Sequence, residues 1–84
     1  MVEISFEETD NFTKATEKIK DNLIKVKVKK QIIKIIQNPE IGKPMRNVRK
    51  GTREVYISPF RLSYTYIKKE NKVIFLELYH KKKQ

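Results

Sequence analysis

The chain has 84 residues, no cysteine, one histidine and a formal charge of +10 at pH 7. That length suits one small domain with one core, and the composition removes disulfides, thiolate metal sites and a conventional histidine-built zinc site. No apolar run approaches the roughly 20 residues of a membrane span, and Met1-Val2-Glu3-Ile4 has no signal-peptide character. The expectation is a single cytoplasmic domain, residues 1–84, with no membrane partner, metal or small-molecule cofactor.

The charge is unevenly placed. Residues 1–40 hold eight lysines against seven acids, whereas residues 41–84 hold twelve basic residues against three acidic ones. All four arginines, Arg46, Arg49, Arg53 and Arg61, fall in the second half, and the planar guanidinium fork suits phosphate better than the point charge of lysine. Such a surface attracts nucleic acid, an acidic protein or an anionic membrane. A merely lysine-rich, solvated surface would have the same composition.

In chain order, Val2, Ile4 and Phe6 alternate with Glu3, Ser5 and Glu7, which predicts a short strand. Thr9, Asp10 and Asn11 offer side-chain oxygens to cap a helix, and Phe12, Ala15, Ile19 and Leu23 follow at helical spacing for three turns or so. Asp21-Asn22 ends that helix and caps the next. Lys25-Val26-Lys27-Val28-Lys29 alternates like a strand, but over the longer window Ile24, Val28, Ile32, Ile35 and Ile36 share one helical face. The second helix therefore runs over Leu23–Gln37 and stops before Asn38-Pro39.

Asn38 to Gly51 reads as a connection bearing Lys43, Arg46, Arg49 and Lys50. Strands are predicted at about Arg53–Ile57, Leu62–Lys68 and Val73–Tyr79, with turns at Ser58-Pro59 and Lys69-Glu70-Asn71. The order β-α-α-β-β-β predicts an α+β fold, an antiparallel sheet with an α-helical hairpin packed on one face.

Period-two alternation then sorts side chains between the two faces. Val55 and Ile57, Leu62, Tyr64 and Tyr66, and Ile74, Leu76 and Leu78 are expected in the core. Arg61, Ser63, Thr65, Glu54, Tyr56, Glu77, Tyr79 and Lys81 are expected on the open face, where cations for phosphate, aromatics for base stacking and carboxylates for proton transfer would meet. The plainer reading of that face is that Glu54 and Glu77 pair with Arg61 and Lys81 across an exposed sheet. By the same count His80 points inward with Leu78, unless a bulge after Tyr79 reverses it.

Four stretches in this order resemble the RelE/ParE superfamily of type II toxin–antitoxin toxins: Lys43-Pro44-Met45-Arg46, the strand Arg53–Ile57, Phe60-Arg61-Leu62-Ser63-Tyr64 and Tyr79-His80-Lys81-Lys82. The resemblance covers nearly the whole chain and implies the same RelE/ParE-like fold. It also implies a cognate antitoxin protein as partner. RelE-like relatives cleave mRNA in the ribosomal A site without a metal, which would make ribosome and mRNA further partners; ParE-like relatives inhibit DNA gyrase instead. On the nuclease reading, Arg61 matches the arginine that contacts the scissile phosphate, Lys81 stands where RelE has a C-terminal arginine, and His80 matches a histidine with acid–base roles. Glu54 and Tyr56 depart from the family, since many nuclease members have lysine or arginine there; Glu54 can stand in as base and Tyr56 can stack on a nucleobase. The catalytic tyrosine found after the last strand in several relatives has no counterpart before Gln84. Lys43, Arg46, Arg49, Lys50, Arg53, Lys82 and Lys83 make up the wider RNA-contacting set. A non-catalytic basic RNA- or ribosome-binding module remains the third reading.

Overall fold

The computed structural model describes residues 4–46 and 50–80. Val2, Arg49, Lys81, Lys82 and Lys83, which figure in the expectations above, lie outside the described residues. The elements in order are β1 (Ser5–Glu8), α1 (Asp10–Glu17), α2 (Asn22–Gln37), β2 (Lys43–Pro44), β3 (Arg53–Ile57), β4 (Phe60–Ile67) and β5 (Lys72–His80).

Local chemistry sets the helix boundaries. Thr9 is extended and its hydroxyl oxygen accepts from the Phe12 N–H (3.1 Å), while Asp21 accepts from the Leu23 N–H (2.8 Å). The first helix is shorter than its apolar spacing suggests, because Asp21 restarts the chain as a new helix. Leu23 consequently sits in the first turn of α2, 74% exposed, rather than on the buried stripe of α1. The α2 stripe is as expected: Val28 and Ile35 are buried, and Ile24, Ile32 and Ile36 pack against them.

The five strands form one sheet in the order β1-β5-β4-β3-β2. It is a mixed sheet, since β1 runs parallel to β5 while every other pairing is antiparallel. The chain must cross from β5's neighbour to the far edge, and α1 and α2 make that crossing over one face. On that face Phe12, Ile19, Val28 and Ile35 meet Ile57, Leu62, Tyr64, Val73, Phe75 and Leu78 in a single core. Phe12 stacks on Phe75 with ring centroids 5.4 Å apart. Burying a side chain of this size contributes about 1.5–3 kcal/mol.

One expectation about β5 is overturned. Ser63 pairs with Glu77 but Tyr64 pairs with Phe75, so Leu76 is an extra residue, a β-bulge. Val73 and Phe75, not Ile74 and Leu76, therefore enter the core, and after the bulge Leu78 does so as expected. The bulge is anchored from outside: Thr9 donates its N–H to Phe75 O (3.1 Å) and its hydroxyl to Leu76 O (2.6 Å).

The connection after α2 is fastened to the sheet by Tyr64. Its buried hydroxyl donates to Pro39 O (2.8 Å) and accepts from the Gly42 N–H (2.9 Å). A Cβ on Gly42 would lie 2.6 Å from that oxygen, so only glycine fits. Replacing Tyr64 by Phe should leave both backbone groups unsatisfied and lower stability by about 1–3 kcal/mol in urea denaturation. Burial also raises the Tyr64 pKa above its ordinary 10.0. The unfolded phenol ionises first as pH rises, so stability falls above pH 10 until the folded phenol ionises as well. In Tyr64→Phe that part of the alkaline fall should be missing when unfolding is measured across the same pH range.

Candidate functional site

On the sheet face away from the helices, the ladder aligns two rows of side chains. Lys43, Glu54, Ser63 and Glu77 are successive partners across β2, β3, β4 and β5, and Tyr56, Arg61 and Tyr79 are partners across β3, β4 and β5. Glu54 is the anchor. It is only 5% exposed, and a buried carboxylate requires charged or hydrogen-bonding partners. The Tyr79 phenol reaches across β4 and donates to Glu54 Oε2 at 2.5 Å, while Arg61 Nη1 lies 3.4 Å from Oε1.

That pairing fixes Arg61 over the middle of the face. Its Cζ is 6.0 Å from the Tyr56 ring centroid, at the outer limit of a cation–π contact. Its side chain is about a third exposed, and Nε is buried without a hydrogen-bond partner among the described residues. Tyr56 is 54% exposed and presents its ring to solvent. The arrangement joins a cation with donor capacity to spare, an open aromatic surface and a phenol–carboxylate pair. Such groups can receive a phosphate, stack on a base and accept a proton.

The other expected site residues divide. Lys43, Arg46 and Lys50 are exposed along the connection before β3. Arg53 is spent on that connection: Nη1 donates to Glu40 O (3.0 Å) and Gly42 O (2.9 Å), and Nη2 lies 3.9 Å from the Glu40 carboxylate. His80 is not brought to Arg61. It pairs with Phe60 in the ladder, packs edge-on against that ring at 5.7 Å, and borders a groove lined by Lys14, Lys18 and Ile24 on the helix side. Lys81, Lys82, Lys83 and Arg49 lie outside the described residues.

Sequence reasoning placed Tyr79 on the open face but gave it only a stacking role. Its link to Glu54 depends on the register of three strands, which alternation along one strand does not encode. Ser63 was likewise expected to be open, yet it is buried between Glu54 and Glu77 in the ladder.

This architecture is that of a known class of toxins. The chain superposes on the toxin–antitoxin complex RelBE2 from Mycobacterium tuberculosis with a TM-score of 0.80 at 22% identity, covering 96% of this chain and 94% of the other. It matches the YoeB/ParE toxin from Agrobacterium tumefaciens with a TM-score of 0.82 at 14% identity, over 92% and 98% of the two chains. The archaeal RelE–RelB complex from Pyrococcus horikoshii gives 0.78 at 11% identity, over 99% and 100%. At these identities the likeness is one of fold. No curated protein matches the sequence. The sequence model for the ParE toxin of the type II toxin–antitoxin system parDE matches residues 6–84, and the chain belongs to that family.

The Glu54 cluster makes a stability prediction independent of activity. Glu54→Ala should cost about 1–3 kcal/mol in urea, by stranding the Tyr79 hydroxyl and the Arg61 charge. Combined with Tyr79→Phe, the total should fall short of the sum of the single losses, because both changes remove the same bond.

Proposed function

We propose that this toxin is a ribosome-dependent endoribonuclease that acts in the cytoplasm, cuts mRNA in the A site by attack of a ribose 2′-hydroxyl on the adjacent phosphate, and is neutralised by a cognate antitoxin. The observation that carries the reading is the placement of Arg61. A guanidinium whose buried Nε has no partner among the described residues stands beside an exposed tyrosine ring and a phenol–carboxylate pair, on a sheet face whose ladder also carries exposed Lys43. The reaction asks for these parts: positive charge for the phosphorane oxygens, a surface to hold a base, and groups that accept a proton.

The antitoxin would cover the helical hairpin. Leu23, Val26 and Ile33 of α2 are exposed apolar residues interspersed with lysines, which suits an acidic, amphipathic partner. The structure of the Mycobacterium tuberculosis relative is itself a toxin–antitoxin complex, and that of the Pyrococcus horikoshii relative is a RelE–RelB complex.

A second reading is favoured by the family model, which is that of ParE: a protein-binding inhibitor of DNA gyrase with no nuclease chemistry. Expression in a bacterial host separates the two. The nuclease reading predicts growth arrest with mRNA cut inside codons, and about a 10²–10³-fold slower cleavage for Arg61→Ala on programmed ribosomes, the size of loss seen when one donor to a transition-state oxyanion is removed. Gyrase-dependent DNA breaks with intact mRNA would select the inhibitor.

A further inference from the structure

We infer that Tyr79 is the group that takes the proton from the 2′-hydroxyl and that Glu54 is the final acceptor behind it, a two-residue relay in place of a single base. The inference rests on the nuclease reading and assigns its missing step.

Three observations carry it. Glu54 has the only carboxylate bonded to Arg61 among the described residues, yet at 5% exposure it is covered on the sheet and poorly placed to touch a ribose. Tyr79 is half-buried and lies outside Glu54, with its hydrogen directed at Oε2 over 2.5 Å, a length typical of a charge-assisted O–H···O⁻ bond. A phenolic oxygen that donates its hydrogen keeps lone pairs that accept another. His80, the alternative base by residue type, is on the opposite face beside Phe60.

In the step, the 2′-oxygen bonds to phosphorus while its proton passes to the Tyr79 oxygen, and the Tyr79 proton passes to Glu54 Oε2. The bond from phosphorus to the 5′-oxygen breaks, and the departing oxygen takes a proton from solvent water, leaving a 2′,3′-cyclic phosphate and a 5′-hydroxyl. Glu54 then returns its proton to water through Tyr79. Arg61 links the two halves of the reaction. When the guanidinium turns from Glu54 toward the phosphate, the buried carboxylate loses a positive neighbour, and the proton handed on by Tyr79 offsets that loss. A loose 3.4 Å contact, rather than a tight bidentate one, lets the arginine leave.

The test is single-turnover cleavage of mRNA on programmed ribosomes by the wild-type protein, Tyr79→Phe, Glu54→Gln, the double variant and Arg61→Ala, with folding of each verified by thermal melting. Tyr79→Phe and Glu54→Gln should each slow the chemical step by about 10²–10⁴-fold, the range for a general base. The double variant should be no slower than the worse single, because relay partners act as one unit. Wild-type cleavage should be slower in D₂O, and that isotope effect should shrink in Tyr79→Phe, which a merely structural tyrosine would not cause. Tyr79→Phe cleaving at the wild-type rate, or with an undiminished isotope effect, while Arg61→Ala is slowed as above, would overturn the relay and leave the nuclease reading standing. No cleavage by the wild-type protein would overturn both.

Discussion

The open face of this small sheet is organised by one buried carboxylate. Glu54 cannot remain charged there alone, so it draws Tyr79 across β4 and holds Arg61 at its other oxygen. Those two contacts decide where the Arg61 guanidinium points, and they leave its Nε without a partner among the described residues. A site of this kind is a by-product of sheet register. Shift β5 by one residue against β4, and Tyr79 leaves Glu54 and the cluster dissolves.

Register is in turn fixed by the bulge at Leu76. Without the extra residue, Phe75 and Tyr79 would stand on the same face; with it, Phe75 enters the core against Phe12 and Tyr79 stays outside with Glu77. Thr9 holds the bulge with two hydrogen bonds and at the same time caps α1. The entry of the first helix, the bulge in β5 and the place of Tyr79 are thus one linked arrangement. On the other side, Tyr64 and Arg53 fasten the connection that carries Lys43 to the same sheet.

Much of this was legible in the residues. Thr9, Asp10 and Asn11 marked the start of the first helix and Asp21-Asn22 that of the second, with Thr9 and Asp21 the actual caps. The spacing of Val28, Ile35 and their neighbours resolved α2 against a strand, and the strand expected at about Arg53–Ile57 has those bounds. Alternation in β3 and β4 put Glu54, Tyr56 and Arg61 on one face, where they are found. It failed in β5 for a physical reason. Val73, Ile74, Phe75 and Leu76 are all apolar, so no polar residue marks which two face out, and a bulge has no composition of its own. The parallel pairing of β1 was equally hidden, because a four-residue strand reads the same for either edge or direction. Alternation also reports which way a side chain points, and says nothing of what covers it. By alternation Glu54 and Ser63 therefore read as open, although both are buried.

The proposed activity requires that this face break RNA by internal transfer to a 2′-oxygen. The most direct measurement is the chemistry of the ends left on mRNA by the purified protein acting on programmed ribosomes. A 2′,3′-cyclic phosphate upstream and a 5′-hydroxyl downstream, within the A-site codon, are the predicted products. Intact mRNA, or ends bearing a 3′-hydroxyl and a 5′-phosphate, would contradict it.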